Sequence, residues 1–208
     1  MVAVRPGPRE LAKFQAKEAR SAGTRPELVI LGDSHAAGWP NGLLLGLGVK
    51  RLAKLAITSL LTEELLYTVE NSSVDYAEAR AVIIQVGANN LRNYVHRPTD
   101  YSRPAAIAQG IERIVRLLRE RAPRAAILVI NAIPGRESGV FTEALRMELN
   151  SLLQGRAAET GLFVYVETAP MQPTDPDAYE PDQIHLKPAG YARFLKPALM
   201  RALAGVLP

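Results

Sequence analysis

Hydrophobic positions along the chain follow two rhythms that alternate from Glu27 onward. Short, near-continuous apolar runs occupy Glu27–Leu31, Arg51–Ile57, Ala81–Val86, Ala125–Asn131 and Leu162–Val166. Runs of this length without polar interruption suit strands buried on both faces of a parallel sheet. Between them the apolar spacing lengthens to that of helices. Ile107, Ile111, Ile114, Val115 and Leu118 make one stripe, and Phe141, Leu145, Leu149 and Leu152 make another. A leading helix is expected over Arg9 to Ser21, with Met1 to Pro8 loose before it. A last helix follows Pro188 and covers Ala189 to Leu203, with Tyr191, Phe194, Leu195 and Leu199 inward and a kink expected at Pro197. Strand–helix alternation with short connections predicts one doubly wound α/β domain. Two longer polar loops, Asn90 to Arg103 and the four-proline stretch Ala169 to Ile184, fall where the carboxyl edge of the sheet should lie.

Composition narrows the class of partner. A chain of 208 residues can bury a full core. No apolar run is long enough to cross a bilayer, and Met1 to Ala22 has no signal-peptide core, so the expectation is a cytoplasmic protein. There are no cysteines, hence no disulfides and no thiolate metal site. The three histidines, His35, His96 and His185, are dispersed without carboxylates at ligand spacing, so no metal site and no cofactor is expected. The net charge is +4. Arg113, Arg116, Arg119, Arg121 and Arg124 share a helix with Glu112 and Glu120, which reads as a solvated face rather than a nucleic-acid surface.

The candidate chemistry lies at the strand ends. The first strand runs into Gly32-Asp33-Ser34, which places a hydroxyl where ligands bind in open α/β sheets. Alone, such a serine is an ordinary helix N-cap. Near the other terminus, Asp182 and His185 stand three apart in a loop, an orienting acid and a base able to remove a serine proton. His35 beside the serine is expected to point away from it, and His96 to line the pocket. After the third strand comes Val86-Gly87-Ala88-Asn89-Asn90. It reads as a turn on its own, but Asn89 is also a side-chain amide donor for an oxyanion, with the Ser34 backbone N–H as a second.

In this order, Gly32-Asp33-Ser34, Gly87-x-Asn89 and Asp182-x-x-His185 resemble the SGNH/GDSL hydrolase superfamily, over nearly the whole chain from Arg9 to Leu203. The similarity points to the branch containing the platelet-activating-factor acetylhydrolase catalytic subunits. Trp39, Asn90 and His185-Leu-Lys-Pro-Ala-Gly-Tyr191 also fit that branch. The resemblance implies a three-layer α/β/α sandwich whose five-stranded parallel sheet has the order 2-1-3-4-5. It implies Ser34 as nucleophile, His185 as base, Asp182 as its orienter and Asn89 as oxyanion donor. One departure stands out. The family usually has a glycine, often followed by aspartate, after the second strand, where this chain has Ser59-Leu60. The Ser59 N–H still offers a donor, but a positive φ there would store on the order of 1 kcal/mol of strain. Asp33, Leu60 and Asn90 are expected beside the substrate.

These readings converge on a serine esterase of short acyl esters, acetyl above all, working through an acyl-enzyme. The substrate would be a small-molecule or carbohydrate ester, with no nucleic acid and no membrane span, and the protein a monomer or homodimer. Two rivals share the residues: transfer of the acyl group to a sugar hydroxyl, and a non-catalytic binding protein on an esterase fold, the latter suggested by Ser59-Leu60.

Overall fold

The computed structural model describes residues 1–92, 103–137, 141–204 and 206. Its strands are β1 (Leu28–Gly32), β2 (Leu52–Lys54), β3 (Ala81–Gln85), β4 (Ala126–Ile130) and β5 (Val164–Val166). They pair in parallel in the order β2-β1-β3-β4-β5. The order places β1 and β3 side by side in the middle, so the chain leaves both strands at one point on the carboxyl edge. Successive β1 residues alternate between two cores. Val29 and Leu31 join the apolar cluster on one face, and Leu28 and Ile30 the cluster on the other, all of them fully buried. This double burial explains why the strands read as continuous apolar runs.

Helices cover both faces. On one lie α1 (Pro8–Ser21), α4 (Thr62–Glu70), α6 (Pro104–Arg121) and α7 (Glu143–Thr160); Phe14, Leu65, Ile111 and Leu149 carry their contacts. On the other lie α2 (Ser34–Ala37), α3 (Asn41–Leu45), α8 (Pro188–Gly190) and α9 (Lys196–Ala202), contributing Ala36, Leu44, Gly190's neighbour Tyr191, and Leu199. The remaining helix, α5 (Ala88–Arg92), follows β3 directly. The three-layer α/β/α sandwich and its strand order are those expected. Among the described residues no helix is long and apolar enough to cross a membrane.

Several local expectations need correction. The segment before α1 is pinned rather than loose: Val4 N donates to the Glu63 carbonyl at 3.0 Å, and the Met1 carbonyl accepts from Arg113 Nη1 at 3.2 Å. Regular strand ends at Lys54, although Leu55 and Ile57 still donate to Ile30 and Gly32 at 2.9 Å. The last helix is interrupted by a π-helical turn over Tyr191–Leu195, while Pro197 sits in the first turn of α9 where its missing N–H costs nothing. Helix α4 escaped the periodicity because it is buried almost all round, including Glu63 and Glu64. Nor are the α6 arginines simply solvated. Arg119 donates to the carbonyls of Leu162 and Ala125, and Arg121 to those of Val69 and Ser72, so both tie the helix end to neighbouring loops.

Candidate active site

The β1 exit is shaped by Gly32. Its φ is 139°, and a Cβ there would come within 1.9 Å of the Gln85 carbonyl oxygen. Only glycine lets β1 and β3 approach this closely while the chain turns. The turn continues through Asp33, whose N donates to Gln85 O at 3.1 Å and whose Oδ1 accepts from His35 N at 2.9 Å. That N-cap starts α2 with Ser34 as its first residue. Behind it the structure is dense. Trp39 and Tyr191 lie with ring centroids 5.1 Å apart, Trp39 Nε1 donates to Gln85 Oε1 at 3.2 Å, and Tyr191 Oη donates to the His35 carbonyl at 2.7 Å.

The second half comes from the loop after β5. Asp182 Oδ1 accepts from the N–H groups of Ile184 and His185 at 2.8 and 2.9 Å, a tight turn made possible by Gln183 at φ 58°. The turn brings Asp182 Oδ2 to 2.6 Å from His185 Nδ1. His185 Nε2 then lies 3.0 Å from Ser34 Oγ. The loop is braced by Glu180 N to His185 O at 2.8 Å, Lys187 N to Ala178 O at 2.8 Å, and Tyr179 Oη to Pro134 O at 2.9 Å. Burial raises the pKa of the Asp182 carboxyl, but the hydrogen bonds from the His185 ring and from the His185 and Ile184 backbone outweigh it and bring it down to about 2. It therefore remains a carboxylate and fixes the proton of the imidazole on Nδ1, leaving Nε2 to accept from the serine.

The third contribution is a pair of asparagines at the start of α5. Asn89 Nδ2 donates to the Leu60 carbonyl at 3.1 Å. Asn90 Oδ1 accepts from Thr62 N and Thr62 Oγ1, both at 2.9 Å, and its Nδ2 donates to Glu63 Oε2 at 2.7 Å. Together they fasten the Ser59–Thr62 segment to the β3 exit. Ser59 has φ 65°, the left-handed conformation that a glycine would take without strain. Among the described residues neither the Ser34 nor the Ser59 N–H has a hydrogen-bond acceptor.

Ser34, Asp182 and His185 thus come together as one hydrogen-bonded chain, while Asn89 lies at the start of α5 and Ser59 in the segment that Asn89 and Asn90 fasten to it. The three positions expected to touch substrate lie beneath the surface instead. Asp33 is 1 % exposed, Leu60 1 % and Asn90 2 %. Asp33 Oδ1 caps α2, Asn90 is held between Thr62 and Glu63, and the Leu60 side chain packs into the core, so their contribution is to hold the loops. His35 is also buried, its ring centroid 5.7 Å from that of His185. Burial, then the charges of His185 and Arg92, lower its pKa to about 3, so it stays neutral. His96 and most of the Asn90–Arg103 loop lie outside the described residues. Glu63 and Gln85 were not anticipated; both are polar residues on apolar elements, and only their buried partners reveal them. No group of His, Asp and Glu side chains among the described residues forms a metal-binding cluster.

Residues 30–193 match the GDSL-like Lipase/Acylhydrolase family. Over 145 residues the chain is 27% identical to platelet-activating factor acetylhydrolase IB subunit alpha2 of Homo sapiens, an alignment covering 65% of this chain and 57% of that relative. The match therefore spans little more than half of the relative's length. Among solved structures, a GDSL-like lipase from Bacteroides thetaiotaomicron superposes with a TM-score of 0.70 at 14% identity, covering 94% of this chain and 98% of that one. A catalytic mutant of Axe2, an acetylxylan esterase from Geobacillus stearothermophilus, gives 0.57 at 16% identity, covering 89% and 96%. At these identities the superpositions speak for the fold.

Proposed function

The chain belongs to the GDSL-like lipase/acylhydrolase family, and we propose that it is a serine esterase that hydrolyses short acyl esters, acetyl esters first among them. The observation that carries this reading is the uninterrupted relay from Asp182 Oδ2 through the His185 ring to Ser34 Oγ, with links of 2.6 and 3.0 Å. Ser34 Oγ attacks the ester carbonyl as His185 Nε2 takes its proton. The imidazolium formed in that step faces the Asp182 carboxylate. The tetrahedral adduct then breaks its carbon–oxygen bond to the alcohol, which leaves with the proton returned from His185. A water molecule repeats the sequence on the acyl-serine and releases the acid.

The developing oxyanion needs donors preorganised around it. We assign these to the N–H groups of Ser34 and Ser59 and to Asn89 Nδ2. An amide nitrogen carries two hydrogens, so the Asn89 bond to Leu60 O leaves one for the oxyanion. Acetyl as the acyl group is supported by two similar proteins named for acetyl esters, a platelet-activating factor acetylhydrolase subunit and an acetylxylan esterase. A panel of nitrophenyl esters from acetyl to octanoyl tests this, with turnover expected to be greatest at the short end. Fluorophosphonate treatment followed by peptide mass spectrometry should place the adduct on Ser34. An adduct on Ser72 or Ser73, or none in an active preparation, overturns the assignment.

A further inference from the structure

We propose that Arg92 and Arg136 form a subsite for an anionic group carried by the substrate, a carboxylate or a phosphate, next to the reacting ester. The inference rests on the hydrolase reading above and names what that site prefers. Asn89 and Arg92 stand three residues apart on α5, so they share the side of the helix that meets the site. The Arg92 guanidinium lies 3.9 Å above the Phe141 ring and crowds the Gly135 backbone, where a Cβ would sit 2.5 Å from Nη2. Its Nη1 donates to the Arg136 carbonyl at 3.2 Å. Arg136 in turn donates its N–H to the Gln183 carbonyl at 2.8 Å, one residue from Asp182. The two arginines therefore bridge the exits of β3 and β4 and the loop that carries Asp182 and His185.

What marks the pair is its charge balance. None of the ion pairs among the described residues uses Arg92 or Arg136. Arg92 Nε is buried with no hydrogen-bond partner. Among the described residues the carboxylates that act on Arg92 are those of Asp182 and Asp33, and Asp182 is engaged by His185. Burial, then the like charge of Arg136, bring the Arg92 pKa below the ordinary arginine value. The Arg136 side chain is exposed. Two neighbouring cations without a dedicated counter-charge among the described residues, one stacked on an aromatic ring and the other open to solvent, suit an incoming anion. A guanidinium matches carboxylate and phosphate oxygens through paired N–H donors.

The test uses two pairs of esters on the full chain. In the first, mono-nitrophenyl succinate is compared with its neutral methyl ester; in the second, acetyl glycerol phosphate with acetyl glycerol. A carboxylate subsite favours the charged member of the first pair, and a phosphate subsite that of the second. The favoured charged ester should exceed its neutral twin in kcat/KM by about tenfold or more, and added salt should shrink the ratio. Arg92→Gln and Arg136→Gln should each bring the ratio close to one; Arg116→Gln, on the outer side of α6, should keep it. Arg136→Gln, at an exposed side chain, guards against misfolding of the Arg92 variant. Equal turnover within both pairs, or a ratio that survives both substitutions, overturns the subsite and leaves the esterase reading standing. If no ester turns over, the esterase reading fails instead. Calorimetric titration with succinate and with inorganic phosphate then decides the subsite. Binding that weakens by about tenfold in Arg136→Gln supports it, and no binding of either anion overturns it.

Discussion

The two halves of the site are built in opposite ways. Ser34 is delivered by regular structure: a fully buried strand, a glycine in close contact with its neighbour strand, and a capped helix start, with Asp33 and His35 on either side at 1 % and 5 % exposure. His185 and Asp182 come from an irregular loop, their side chains 43 % and 42 % exposed, held by a single tight turn and a few backbone bonds. Ser34 is fixed by the buried structure around it and His185 by local hydrogen bonding. Substitutions in the first half should accordingly register in stability as well as activity, whereas those in the second should register mainly in activity.

The largest effects break the relay itself. Ser34→Ala and His185→Ala should each lower kcat by on the order of 10³ or more, and the double variant should be little worse than either, because the two groups act as one unit. Steady-state kinetics checks the size, and a near-product loss in the double variant would show that the two act separately.

Next comes the buried carboxyl beside Ser34. Burial, opposed by the His35 N–H and by the charges of His185 and Arg92, raises the Asp33 pKa from 3.8 to about 7. Between those values the folded state holds a proton that the unfolded chain has released, so stability falls as pH climbs through this window and levels off above it. Asparagine caps a helix equally well and cannot ionise. Asp33→Asn should therefore gain on the wild type between pH 4 and pH 8 by on the order of a few kcal/mol. His35, lowered to about 3, acts in the opposite direction as pH falls below 6.5, but it is common to both proteins and drops out of the difference. Denaturant melts at the two pH values make the measurement, and parallel pH profiles would mean that Asp33 is solvated.

The smallest effects compare the two left-handed residues. Ser59→Gly and Gln183→Gly each remove a side chain from a positive φ, 65° and 58°. Each should stabilise by on the order of 1 kcal/mol, less the entropy that glycine adds to the unfolded chain. Their kinetics should differ in a telling way. Ser59→Gly should change kcat by less than about tenfold if its N–H already serves the oxyanion. A gain near a hundredfold would mean that serine had turned that donor away. Gln183→Gly loosens the turn that positions Asp182 and should lower kcat modestly with KM little changed.

By itself the sequence determined the sandwich, the placement of five strands and the relay of Ser34, His185 and Asp182. These depend on short-range rules: continuous apolar runs for strands buried twice, glycine at a strand exit, an acid and a histidine close enough to share a turn. Joining Ser34 to His185 across the chain also required the ordered trio of motifs, since no local rule links residues so far apart. Only the tertiary structure decided that Asp33, Leu60 and Asn90 lie beneath the site, that His35 is sealed beside the His185 imidazole, and that Ser59 adopts a positive φ. It also placed Arg92 and Arg136 together. Polar side chains carry no periodic signal, and whether one meets solvent, a substrate or a buried partner depends on which distant segments pack around it.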